Sequence, residues 1–430
     1  MTANKFRGAT QPPKITQPII SSFLYHFSIA LTAPSLPKLL NVISSPTQSI
    51  LPSPLSSKLY SDLLATDQII TFLVVAPLVA LSDKLGRKPL MTYSAAGVCL
   101  GWVTVILAAT FSKANPTGDM TKVVALLFTG RIFDGLTSIM APVTSAAVID
   151  ISPPSRTATN LGMLQGFAIG FAFLFGAPIG GIISSRGEPL TAFKLASGVA
   201  AANFFWTRIF VTETLAPTLR TKDSFLSSIS KNANPAKNLK FIMSSDRRKF
   251  LVLSLNLVWT ALNMFQVTAF NYAKHVHGWE VSRTAMYQSA SGVALATIPK
   301  LLIPILGPEK TVRYGLIVML LALLNLGAAT HNHHFGCSFL LVGFGAAMVI
   351  PALTAMISDT CSANMRGKLF GAVESTVTLN RAISFPIAGR LFASGLSGGV
   401  AQVGGVSSPF FSGALSIAGA VYCFAMGAQN

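Results

Sequence analysis

Charge is scarce in this sequence, and acid is scarcer still. Only 11% of its 430 residues are Asp, Glu, Lys or Arg, against about 25% in soluble globular proteins. That deficit argues against an ordinary soluble enzyme. Cysteine is sparse as well. The four residues are Cys99, Cys337, Cys361 and Cys423, with no C-x-x-C or Cys/His ligand spacing, so neither a disulfide framework nor a zinc site is indicated. No Walker phosphate loop and no H-E-x-x-H string occurs, which leaves no reading of ATP hydrolysis or metal-assisted hydrolysis. No cofactor and no metal is expected, and the protein is not read as an enzyme.

What the chain does have is apolar length. Hydrophobic residues make up 51% of it, and a bilayer-crossing helix takes about 20 apolar residues. Twelve apolar segments can be drawn, at 18–40, 62–81, 90–111, 123–149, 159–184, 191–212, 250–272, 285–306, 313–330, 336–358, 367–392 and 408–427. The expected fold is therefore all-α, with twelve transmembrane helices. The apolar stretch behind Lys5, Arg7 and Lys14 is longer than a signal-peptide core and reads as a first span. Between the sixth and seventh segments lies the longest polar stretch, Glu213 to Lys249, holding Arg220, Lys222, Lys231, Lys237, Lys240, Arg247, Arg248 and Lys249. The expected organisation is an N-terminal segment at 1–17, a six-helix bundle at 18–212, a linker at 213–249 and a second six-helix bundle at 250–430.

The formal net charge of +18 suits a nucleic-acid binder or the cytoplasmic excess of Lys and Arg in membrane proteins. The positions decide between these. With the N-terminus placed in the cytoplasm and sides alternating, the cytoplasmic segments hold roughly twice as many Lys and Arg as the opposite face. No single basic face forms. The expectation is an integral, multi-pass protein with both termini cytoplasmic, in the plasma membrane or an internal one, with the lipid bilayer and not nucleic acid as its partner. The linker charges read either as a solvated connector or as a site of attraction to anionic lipid.

The two halves repeat. Pro142 and Asp150 in segment four match Pro351 and Asp359 in segment ten, and Ser152 to Arg156 matches Ser362 to Arg366. Pro178-Ile179-Gly180-Gly181 matches Pro386-Ile387-Ala388-Gly389 at nearly the same offset. Internal repeats of membrane helices are a mark of secondary transporters, whose substrate sites lie near midplane at the repeat interface.

Ser82-Asp83-Lys84-Leu85-Gly86-Arg87-Lys88-Pro89 forms the turn between segments two and three. Gly86 allows a tight reversal, and Asp83 and Arg87 can pair with each other or with neighbouring helix ends. This string resembles the signature loop of the major facilitator superfamily. Pro34-Ser35-Leu36-Pro37, Gly130-Arg131-Ile132 with Gly135 and Thr137, Asp150-Ile151-Ser152 with Arg156, and Pro351-Ala352-Leu353-Thr354 extend the resemblance over nearly the whole chain. It is similar to the tetracycline-efflux and hippocampus-abundant-transcript-like branch of drug:proton antiporters. The resemblance implies two pseudo-symmetric six-helix bundles that rock about a midplane cavity. It also implies a gating latch made of Asp83, Gly86, Arg87, Lys88, Asp150 and Arg156. Gly176-Ala177-Pro178-Ile179-Gly180-Gly181 resembles the family's antiporter motif, with Ala177 where that motif usually has Gly. On this resemblance Gly176, Pro178, Gly180 and Gly181 imply export; packing alone is the other reading, since glycines four apart permit close helix contact.

Ionisable groups inside spans are costly and so are functional candidates. Arg131 and Asp134 are one helical turn apart, and Glu374 and Arg381 share a face of segment eleven. His26 lies within segment one. Segment seven carries Asn256, Asn263 and Gln266 at helical period. Tyr25, His26, Asn256, Asn263 and Gln266 are candidates to line a cavity; interhelical hydrogen bonding is the alternative for the polar ones. The acids that the resembled tetracycline exporters carry in spans one, three and nine align with Tyr25, Gly101 and Met319. This argues against a metal–tetracycline chelate as cargo and leaves Asp134 and Glu374 to carry protons. His275, His277, His331, His333 and His334 read as solvated loop residues or as a pH-sensitive gate. The functional expectation is proton-coupled export of a small organic molecule, with uptake or facilitated passage on the same fold as the alternative and a transport-inactive receptor or scaffold as a third.

Overall fold

The computed structural model describes residues 13–45, 51–114, 120–153, 156, 160–161, 163–220, 235–361, 366–398 and 403–429. Helices occupy all twelve places where apolar segments were drawn, and the described residues contain no strand. Among the described residues, seven helices are long and apolar enough to cross a membrane, or nine when two bent pairs count as spans. This is an all-α membrane fold, consistent with twelve spans.

The first span is α1 (Thr16–Thr32) and α2 (Ser35–Ile43), bent by 43° at Ala33-Pro34. Proline removes a backbone donor and crowds the preceding turn, which places the break. Next come α3 (Pro54–Leu85) and α4 (Arg87–Ala114). Segment four is divided into α5 (Met120–Thr137) and α6 (Met140–Ile151). Pro142 cannot donate to the Ser138 carbonyl, and beside it the Thr137 carbonyl accepts from Ser94 Oγ and Ile139 N. Segment five opens as a π-helix, Leu164–Phe171, and continues as α7 (Ala172–Arg186); α8 (Pro189–Ile209) follows. The remaining helices are α9 (Pro235–Met243), α10 (Asp246–His277), α11 (Val281–Leu306), α12 (Pro308–Ala328), α13 (Asn332–Ser358), α14 (Arg366–Ser397) and α15 (Ser408–Gln429), with a single helical turn at Val403–Val406 before the last.

The chain forms two compact units. One comprises Met1–Ser35 with Ile69–Asn234, and the other Leu36–Gln68 with Pro235–Asn430. The boundary is not a single cut at the polar linker. Residues 36–68 group with the second half of the sequence.

In the first unit α1 packs on α7 and α8, and α4 on α5 and α8. Between lipid-embedded helices the hydrophobic effect supplies little drive, so close backbone approach and polar contacts hold them together. A methyl group at Gly180 would overlap the Leu31 carbonyl, and one at Gly97 would overlap Thr137. Ser21 donates to Asn203 Oδ1 at 2.9 Å and lies 2.9 Å from Thr207 Oγ1, joining α1 to α8 in a fully buried position.

In the second unit α10 packs on α14 and α15, and α12 on α13 and α15. Phe265, Tyr272, Phe335, Phe339 and Phe410 form its aromatic centre. Polar links again cross between helices: Ser254 Oγ donates to Ala420 O at 3.0 Å, and Asn41 Nδ2 to Asn271 Oδ1 at 3.2 Å.

Because the Leu31 carbonyl is backbone and cannot swing aside, Gly180→Ala is expected to cost about 1–3 kcal/mol, the usual cost of overpacking. Thermal unfolding in detergent measures it. Gly198→Ala, with nothing within 4 Å of the added methyl, serves as the control, expected to keep the midpoint or raise it, since Ala favours a helix over Gly.

Candidate functional site

Three clusters collect most of the ionisable residues singled out above. The first is built at the α3–α4 turn. Gly86 there has φ +108°, a conformation that costs a side-chain-bearing residue 1–2 kcal/mol or more. The reversal points Arg87 inward, where its side chain is only 8% exposed. Its Nη1 lies 2.6 Å from Asp83 Oδ1 and donates to Ser82 Oγ at 2.6 Å, while Nε donates to Asp150 Oδ2 at 2.9 Å. One guanidinium thus joins α3, α4 and the end of α6 through charge-assisted bonds, the stronger class of hydrogen bond. Arg156 is exposed, and no side-chain bond of its own joins the cluster among the described residues.

Glu213 completes this cluster, and the sequence reading missed it. Its Oε1 accepts from the Arg87 amide at 2.8 Å and from the Leu215 amide at 2.9 Å; Oε2 accepts from the Lys88 amide at 3.2 Å. A carboxylate at the first amides of α4 satisfies donors that a helix start leaves open and meets the positive end of its dipole. Val211, Leu215 and Ala216 are buried beside it. The start of the linker is therefore docked on the turn, not a free connector. Gly86 is needed twice, because a methyl there would overlap the Glu213 carboxylate. The signal available in sequence was an acid opening a strongly basic stretch.

The second cluster lies within the first unit. Arg131 Nη1 donates to Asp134 Oδ2 at 3.0 Å, with the side chains 6% and 11% exposed. The guanidinium carbon sits 5.0 Å from the Trp102 ring centroid. Arg131 Nη2 is buried and finds no hydrogen-bond partner among the described residues. Gly101 and Gly130 bring α4 and α5 close here, since a methyl on Gly130 would lie 3.1 Å from the Gly101 carbonyl and would overlap Thr104.

The third cluster lies within the second unit. Arg381 on α14 sits 4.6 Å from the Trp259 ring centroid. Glu374 Oε1 is 3.8 Å from Arg381 Nη1, an ion pair too long for a hydrogen bond. Glu374 is 70% exposed. Asp67 on α3 also acts electrostatically on Arg381. It is an acid inside a drawn span, so the rule that singled out Asp134 applied to it equally.

The cavity candidates divide. Asn256 and Asn263 turn toward α14. Asn256 Nδ2 donates to Thr376 Oγ1 at 3.0 Å, Asn380 Nδ2 donates to the Asn256 carbonyl at 2.7 Å, and Asn263 Nδ2 donates to Ser384 Oγ at 2.7 Å. Gln266 is exposed and takes no part in that seam. His26 is buried, with Nδ1 2.7 Å from the Ser22 carbonyl, and Tyr25 packs edge-on against it. Gly176, Gly180 and Gly181 are buried, and the first two face α1; Pro178 lies inside α7. His277 packs on Phe335 with ring centroids 4.3 Å apart. Gly162 and residues 362–365 lie outside the described residues.

Removing Glu213 tests the docked linker start. Glu213→Ala is expected to cost about 1 kcal/mol, as lost helix caps do, and to raise protease cleavage at 211–220 severalfold. An unchanged digestion pattern would mean that the carboxylate does not hold this segment.

The arrangement holds charge inside apolar helices. The Major Facilitator Superfamily model matches residues 19–385. The class D tetracycline resistance protein of Salmonella ordonez is 26% identical over 369 residues, covering 84% of this chain and 85% of that protein. Major facilitator superfamily domain-containing protein 10 of Bos taurus is 24% identical over 341 residues, covering 74% and 69%. Among solved structures, the human organic anion transporter MFSD10 (TETRAN) aligns over 96% of this chain and 100% of that one, with TM-score 0.68 at 20% identity. A D-xylose-proton symporter aligns over 95% and 96%, with TM-score 0.71 at 15% identity. A family match of this length, on a fold of apolar helices with paired intramembrane charges, makes the chain a non-enzymatic, multi-span membrane transporter that belongs to the major facilitator superfamily.

Proposed function

We propose that this transporter exports a small organic molecule in exchange for protons, by alternating access. The observation that carries the reading is the Arg131–Asp134 pair, buried within a span and backed by Trp102. Intramembrane ionisable residues are costly to keep and mark ion pathways and proton relays. Asp134 is the proposed proton carrier, and Arg131 holds the counter-charge when the carboxyl is ionised. Glu374 and Arg381 serve the same purpose in the second unit. The Arg87 cluster, with Asp83, Asp150 and Glu213, acts as a latch on the side this account assigns to the cytoplasm. Gly176, Pro178, Gly180 and Gly181 support export through their resemblance to the antiporter motif. The names of relatives favour small organic cargo: tetracycline resistance, multidrug resistance and organic anion transport.

Uptake on the same fold is the second reading. Tyr25, Gly101 and Met319 are all buried and none is an acid, at the three places where the resembled exporters carry one. Two of the neighbouring folds, the xylose symporter and the nucleoside transporter NupG, are named for solutes of that kind.

A metabolite and toxin screen, comparing deletion strain with overexpressor, identifies a substrate. Flux of that substrate in proteoliposomes then decides coupling and direction. The expected result is movement against an imposed proton gradient, with substrate and protons crossing in opposite senses. Counterflow that ignores the gradient would exclude proton coupling, and movement in the same sense would establish the uptake reading.

A further inference from the structure

The linker helix α9 (Pro235–Met243) has no part in the function proposed above, yet it is held firmly. Ile242 is 4% exposed within the core of the second unit, and α9 packs against α14. Its C-terminal end is fixed by Arg248. Nη1 of that residue donates to the Phe241 carbonyl at 2.8 Å and to Ser244 Oγ at 3.2 Å; Nε and Nη2 donate to Thr360 Oγ1 at 3.2 Å and its carbonyl at 3.0 Å. The guanidinium also lies 4.4 Å from the Phe241 ring centroid. A cation at the open carbonyls of a helix end is a favourable cap.

With Ile242 turned inward, Leu239 and Met243 are left outside, 51% and 57% exposed. They stand four residues apart, one above the other on a single helix face. Lys240 beside them is exposed, as is Arg247 just beyond the helix. Two large apolar side chains flanked by exposed cations form the pattern of a helix lying in a bilayer interface. Chain connectivity supplies the location. Only Ser244 and Ser245 separate α9 from α10 (Asp246–His277), a helix apolar and long enough to cross the membrane. At about 3.3–3.6 Å per residue, that connection keeps α9 at the level of the headgroups.

We propose that α9 is an interfacial anchor: Leu239 and Met243 enter the acyl boundary of the leaflet at the start of α10, and Lys240 and Arg247 bind the phosphates of its anionic lipids. Arg248 sets the orientation, because it ties the helix to the body of the second unit while the apolar pair faces away from it. The partner is an anionic lipid surface, recognised by the basic flank and the apolar pair together.

The test uses the full chain in nanodiscs, with a bimane label on Leu239→Cys after replacement of the four native cysteines. The expected result is quenching by phospholipid brominated high on its acyl chain, little quenching by aqueous iodide, and stronger insertion with phosphatidylglycerol than with phosphatidylcholine alone. Lys240→Gln with Arg247→Gln is expected to weaken the phosphatidylglycerol-dependent insertion by about fivefold per charge removed. A label quenched by iodide and not by brominated lipid would overturn the proposal, as would one shielded from both by protein. Equal insertion in the two lipids, or the same lipid dependence in the double variant, would overturn the role of the cations.

Discussion

Inside a bilayer, a polar or ionised group has no water to fall back on and must find its partner within the protein. The structure follows from that constraint at each level. Ser21 reaches Asn203, Ser254 reaches the Ala420 carbonyl, and Asn263 reaches Ser384, so the neutral polar groups of the spans join one helix to the next. Charged groups obey the same rule with a further device. Arg131 and Arg381 each combine a carboxylate on their own helix with the face of an indole, Trp102 and Trp259. The indole's negative face supports a cation, so at Arg131 the acid of the pair can change its protonation while the arginine stays supported. This property makes such pairs suitable for moving protons across an apolar barrier.

The two pairs differ in how far they are closed off from their surroundings. Arg131 and Asp134 are closed together and nearly inaccessible, whereas Glu374 is mostly exposed and 3.8 Å from its arginine. A buried pair loses much more when one member is neutralised. The α3–α4 turn shows a third arrangement, in which Arg87 gathers Asp83, Asp150 and Ser82 while Glu213 caps the helix that begins at Arg87. There the charges join elements that meet at the end of a bundle, and the positive-φ glycine is what lets them meet.

Much of this was legible in the sequence. Apolar runs locate the long helices, though not α9 inside the polar linker, and the spacing of Arg131 and Asp134 gives their pairing, because one turn of helix leaves few alternatives. Asp150 as the partner of Arg87 followed from family resemblance and helix-end placement. Other features were not legible, for physical reasons. A polar stripe such as Asn256 and Asn263 reports that one face of α10 is unlike the rest, but not whether it meets a cavity or a neighbouring helix; here it meets α14. At the break between Thr137 and Met140 one carbonyl takes its bond from Ser94, a residue on another helix. Glu213 lies at the edge of a basic stretch, where its partners are backbone amides with no side-chain signature. The grouping of residues 36–68 with the second unit is a property of packing that no local pattern encodes.

The central claim is that Asp134 carries the coupling proton while Arg131 remains supported by Trp102. The most direct measurement is Asp134→Asn in proteoliposomes, with substrate counterflow and proton-gradient-driven flux recorded on the same preparation. The account predicts that counterflow persists while the response to the gradient is lost. Gradient-driven flux equal to that of the unaltered protein would contradict it.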